Sequence, residues 1–231
     1  MVDPVAGTLV TASIELVTRL APKGLAWAKT RLAGRKILVV GPVNAGKSSF
    51  THYLRFGILE QPGNVDVTIE VEKSLAFKLA VGKNQEAVLE VKHVLDTPGH
   101  LGPIAHADLV AQHRPHALVV VLDCDAPAAE TTKWLDDFST RLDTVFRSTR
   151  GLTAKLKSIE ILANKADLHS AGHVEGRIGD VKAVLKRELK GALGAERIKR
   201  IHVRPCILIH TERGAELADT AIRSMVKALV K

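Results

Sequence analysis

Aromatic side chains make up only 3% of this 231-residue chain. That scarcity argues against a stacking platform for single-stranded nucleic acid, which needs exposed rings for the bases to lie on. Only two cysteines occur, Cys124 and Cys206, far apart in sequence. They make neither a metal-ligand pair nor a redox pair, so a reducing, cytoplasmic setting is expected. No uncharged apolar run reaches the roughly 18 residues that a membrane-spanning helix needs. The start of the chain has no basic stretch followed by an unbroken apolar run, so no secretory signal is read there. Acidic residues are in the minority as well: 25 Asp and Glu against 33 Lys and Arg, a net charge of +8. This balance suits a basic surface, and it leaves nucleic acid or an anionic membrane open as partners. Hydrophobic residues still supply 46% of the chain, enough for one sizeable core.

Periodicity divides the chain into residues 1–34 and residues 35–231. In the first part Leu9, Val10, Ile14, Val17 and Leu20 recur at helical spacing, which predicts an N-terminal helical extension. Lys23, Lys29, Arg31, Arg35 and Lys36 gather toward its end. Such a segment suits an anionic membrane surface or a partner helix, and packing is the expectation favoured here. The second part alternates apolar runs with helical patterns. KILVV (36–40), ALVVVLD (117–123), SIEILAN (158–164) and PCILIHT (205–211) read as strands. Residues 69–81 and 87–95 read as a hairpin about the turn Gly82–Asn84. Helices are expected near 46–57, 104–113, 128–146, 174–193 and 214–230. The prediction is a three-layer α/β fold with a mainly parallel sheet and one antiparallel strand.

Three short motifs carry the chemistry. GPVNAGKS, Gly41 to Ser48, satisfies G-x-x-x-x-G-K-[ST] between a strand and a helix. Gly41 and Gly46 let the backbone wrap closely around phosphate oxygens. The N–H groups of Asn44, Ala45, Gly46, Lys47, Ser48 and Ser49 are then the candidate phosphate cradle at a helix N-terminus. Lys47 reaches the β- and γ-phosphates, and the Ser48 hydroxyl holds Mg²⁺. DTPG, Asp96 to Gly99, ends a strand: Asp96 is a second metal candidate, and Gly99 presents an N–H to the γ-phosphate. Thr68 stands alone between Thr51 and Thr97 as a threonine able to complete the metal set. His100 follows Gly99, where imidazole can orient an attacking water. His106, His113 and His116 have no metal-site spacing and read as surface residues.

NKAD, Asn164 to Asp167, selects the base. Asp167 can accept from the N1–H and N2–H₂ of guanine, a donor pair that adenine lacks. Lys165 can lay its stem along the ring, while Asn164 braces the loop. No S-A-K follows the last predicted strand; His210, Thr211 and Glu212 stand there, with the Thr211 N–H as the remaining guanine contact. No glutamine follows Gly99 either.

With these motifs in order, residues 36–231 resemble the translation-factor-like class of P-loop GTPases, in the wide sense that includes Ras-like proteins. GPVNAGKSS resembles the Era and TrmE branch, and DTPGH the elongation factors. The resemblance implies catalysis by His100 and Lys47, GTP and GDP as ligands, and a loop that orders around the γ-phosphate. At Asn44 it implies a potassium site in some relatives. The expected function is a switch hydrolysing GTP with Mg²⁺, slow without an activating protein or effector. A weakly hydrolysing GTP- or GDP-binding interaction module, acting as a regulatory or scaffold subunit, is the alternative. NKAD argues against an ATPase.

Overall fold

The computed structural model describes residues 34–61, 70–74, 76–81 and 87–230. Thr68, the turn at Gly82–Asn84 and the N-terminal helical extension lie outside the described residues. The strands are β1 (Arg35–Val40), β2 (Glu72–Lys73), β3 (Phe77–Val81), β4 (Ala87–Asp96), β5 (Ala117–Asp123), β6 (Ser158–Asn164) and β7 (Ile201–Pro205). The helices are α1 (Lys47–Phe56), α2 (Pro103–His113), α3 (Ala128–Ser148), α4 (Leu152–Lys155), α5 (Ala171–Ile198) and α6 (Glu212–Val230).

The strands form one sheet in the order β2-β4-β1-β5-β6-β7, with β3 also on β4. Strands β4, β1, β5, β6 and β7 run parallel, and the two short strands pair antiparallel with β4. The single antiparallel segment expected at residues 69–81 is thus broken in two around Ser74, whose N–H and hydroxyl both bond the Val94 backbone.

The central strands are apolar throughout because both of their faces are covered. Alternate side chains of one strand enter opposite layers. Ile37, Val39, Val119 and Val121 meet Phe50 and Leu54 of α1 and Ile222 and Met225 of α6. Leu38, Val40, Leu118 and Val120 meet Val110 of α2, Leu135 and Phe138 of α3, and Leu185 of α5. No helix among the described residues is long and apolar enough to cross a membrane.

The last strand differs from the expectation. It is IHVRP, Ile201 to Pro205, and not PCILIHT. Polar His202 and Arg204 belong on it because the buried Glu160 carboxylate of β6 receives both. The apolar Cys206, Ile207 and Leu208 form a buried loop instead, anchored where the Cys206 N–H bonds Ala163 O at 2.8 Å. Hydrophobicity alone could not separate a buried loop from a strand. Helix α4 was not anticipated, and α5 runs longer than expected, to Ile198, with a non-helical Gly194 inside it.

Candidate functional site

The carboxyl ends of the parallel strands bring the three motifs to one edge of the sheet. Asp96 pairs in register with Val39, and Asp123 with Asn164. The chain leaves β1 toward β4 on one side and β5 lies on the other, so the motifs sit at a switch point of the topology, where α/β sheets bind ligands.

Between β1 and α1 the phosphate loop turns through left-handed backbone at Asn44 (φ 59°) and Gly46 (φ 98°). Gly46 has a second constraint: a Cβ there would collide with the Asn164 amide. Lys47 is 6% exposed, and its ammonium donates to Pro42 O at 2.8 Å, closing across the loop. Burial pushes its pKa down, and the Asp96 carboxylate opposes that shift. Asp96 itself is buried at the end of β4. Thr97 donates its hydroxyl to Val39 O at 2.9 Å, tying the next motif to β1. At Gly99 a Cβ would stand 2.8 Å from Lys47 Nζ and 2.6 Å from Val43 Cα, so only glycine brings this backbone so close to the phosphate loop. His100 follows it, exposed.

Asn164, buried at the end of β6, joins two loops. Its Nδ2 donates to Ala45 O at 2.8 Å, and its Oδ1 accepts from the Leu208 N–H at 3.0 Å. Lys165 has left-handed backbone (φ 60°) and an ion pair with the Asp123 carboxylate at 2.5 Å. Asp167 stands exposed in the short 3₁₀ turn Ala166–Leu168. Thr211 lies at the start of α6, with its N–H on Ile209 O at 2.8 Å and its hydroxyl accepting from Gly214 N–H.

No family model matches the sequence, and no curated protein matches it. Among solved structures it is similar to the translation elongation factor SelB of Methanococcus maripaludis in complex with the GTP analogue GPPNHP. The TM-score is 0.50 and the identity 17%, covering 89% of this chain and 35% of that one. It is also similar to a dimerization-deficient mutant of Toc33 from Arabidopsis thaliana, with TM-score 0.58 and 12% identity, covering 96% of this chain and 91% of that one. The chain therefore spans about a third of SelB and nearly all of the Toc33 structure. This chain has the P-loop GTPase fold.

Within that fold, three residues matter that the sequence did not single out, and a fourth stands elsewhere than expected. Asp123 aims Lys165; the available signal was an acid ending an apolar strand. Arg177 of α5 donates to Ala126 O at 2.9 Å and to the Thr131 hydroxyl at 3.0 Å, bracing the loop after β5. Leu208 supplies the backbone N–H that Asn164 captures. The fourth is His106, whose expected surface position is wrong. It is 0% exposed, its Nε2 lies 3.1 Å from Pro98 O, and its ring lies 5.8 Å from that of Trp134. Burial and then the Lys47 charge push its pKa down to about 4, so the neutral ring donates to the Pro98 carbonyl. The other two histidines are half-buried, with His116 Nδ1 accepting from the Lys36 N–H at 3.0 Å. His106 thus ties α2 to the DTPG turn and to α3, while His113 and His116 meet Lys36 of β1, contacts that a local reading of spacing cannot detect.

Proposed function

We propose that this chain binds GTP and GDP and hydrolyses GTP to GDP and phosphate with Mg²⁺, acting as a switch. The observation that carries the reading is the pair of hydrogen bonds of Asn164, which ties the base-reading loop to the phosphate loop at Ala45 O and to the loop after β7 at the Leu208 N–H. A nucleotide spanning the two would have its phosphates on the backbone from Asn44 to Ser49. Its base would lie at Lys165 and Asp167, with the Thr211 N–H as the remaining backbone contact once it turns from Ile209 O.

The donor set fits Mg²⁺, a hard ion that prefers oxygen. Ser48, Asp96 and Thr68 would hold it, and when bound it neutralises charge on the β- and γ-phosphates. Lys47 would turn from Pro42 O to the phosphates, and the Gly99 N–H would meet the γ-phosphate. His100 would orient the attacking water, with His106 holding Pro98 and hence the backbone on which His100 rides. A potassium ion at Asn44 is a further part of this reading, tested by turnover in potassium against sodium salts. Residues 35–231 are the proposed GTP-binding domain and residues 1–34 its extension, working with an effector or activating protein.

Competition between GTP and ATP, followed by single-turnover phosphate release with Mg²⁺, tests the proposal. GTP binding in preference to ATP is expected, with turnover as slow as about 10⁻³ per second without a partner. Equal binding of ATP and GTP would refute the base assignment. Tight GTP binding with no release of phosphate would leave the interaction module as the function.

A further inference from the structure

The amino ends of β6 and β7 form the edge opposite the nucleotide site, about 20 Å away along strands of this length. A groove of about 580 Å³ opens there, lined by Lys157, Lys199, Arg200, His202, Ser224 and Lys227. These residues come from the approach to β6, the α5–β7 turn, β7 itself and the last turns of α6. The volume lies within the range of small-molecule sites.

The wall of the groove is built on a buried carboxylate. Glu160 of β6, 1% exposed, accepts from Ser158 at 2.9 Å and from Ser224 at 3.0 Å. The same Oε1 lies 2.9 Å from His202 Nδ1, and Oε2 pairs with Arg204 at 3.2 Å. Arg204 also donates to the Ser224 hydroxyl at 2.9 Å. Glu160 thus neutralises Arg204, fixes Ser224 and takes the His202 Nδ1–H, which leaves the other ring nitrogen for the groove.

The remaining cations are not balanced in the same way. Lys199 pairs with Glu196 at 2.9 Å, but both side chains are exposed, at 70% and 83%, and such pairs bind weakly. Lys199, Arg200 and Lys227 lie near helix C-termini, where the macrodipole favours a cation. That effect does not account for Lys157 and His202 facing the same space. Positive charge also continues along this edge. Burial, and then Arg35, Lys155, Lys36 and Lys157, push the His116 pKa down to about 4. Lys155 is lowered by burial and then by Lys36 and Arg114.

We propose that this groove is a binding site for a phosphate-bearing ligand the size of a diphosphate, carried by a soluble molecule or by a lipid headgroup. Lys157, Lys199, Arg200 and Lys227 neutralise the phosphate oxygens through charge-assisted hydrogen bonds, on a wall that Glu160 holds in place through Ser224 and His202. The site stands apart from the proposed nucleotide site and does not depend on it.

Lysine acetylation of the full chain, read by mass spectrometry, locates the ligand. Pyrophosphate should slow acetylation of Lys157, Lys199 and Lys227 severalfold and leave Lys186 and Lys190, exposed on α5, unchanged. Because pyrophosphate can also enter the phosphate loop, calorimetric titration is done on the Lys47→Ala chain. There each of Lys199→Gln and Lys227→Gln should weaken binding about fivefold, the value of one near-surface charge. Protection by phosphatidylcholine vesicles containing phosphatidylinositol bisphosphate, and not by phosphatidylcholine alone, assigns the phosphate to a lipid. Protection by pyrophosphate with no vesicle binding assigns it to a soluble molecule. The proposal is overturned if neither probe protects these lysines, or if the glutamine variants bind pyrophosphate unchanged. It is also overturned if duplex RNA protects them while both probes fail.

Discussion

Acidification should loosen this protein through His106. The ring is 0% exposed and its pKa falls from 6.5 to about 4 on folding. Between those values the unfolded chain binds a proton that the folded chain refuses, so stability falls as pH drops. Above pH 6.5 neither state is protonated at this residue, and nothing is lost. Below about pH 4 both are protonated, and the loss is complete at about 3 kcal/mol. About 2 kcal/mol of it should already be gone at pH 5. Other groups also titrate in this window, notably His93, 5% exposed and likewise lowered to about 4 by burial and then by Lys73. The contribution of His106 is therefore read as a difference. His106→Gln keeps an N–H able to reach Pro98 O but does not titrate. Urea unfolding at pH 7.5 and pH 5 should show the original chain losing about 2 kcal/mol more than the variant. Parallel stability profiles would sink the assignment of His106 as a buried neutral donor.

Other substitutions probe the site directly. Asn164→Ala strands Ala45 O and the Leu208 N–H; thermal unfolding should report a loss of about 2 kcal/mol, with weaker GTP binding. A stable variant with unchanged affinity would mean the two loops do not need this brace. Asp167→Asn should exchange GTP for xanthosine triphosphate in a fluorescence competition assay, and retained GTP preference would remove Asp167 from base recognition. His100→Ala should bind GTP as before and slow single-turnover hydrolysis, at least about tenfold if it orients the water; an unchanged rate would show that another group does so.

What the sequence by itself determined is the local chemistry. GPVNAGKS, DTPG and NKAD are legible because the roles proposed for them, a backbone approaching phosphates and a carboxylate facing guanine, tolerate few residue types at fixed spacing. The strands KILVV, ALVVVLD and SIEILAN are legible for a related reason: a strand covered on both faces has to be apolar along its whole length. Tertiary structure decided everything that depends on distant partners. Asn164 meets Ala45 across 119 positions and Leu208 across 44, and no local pattern encodes either meeting. His106 looks like any polar residue on a helix until Pro98 and Trp134 close over it. IHVRP became the last strand and CILI a buried loop because Glu160, buried on the neighbouring strand, needs His202 and Arg204 beside it. A buried charge is satisfied only by whatever the fold brings within reach.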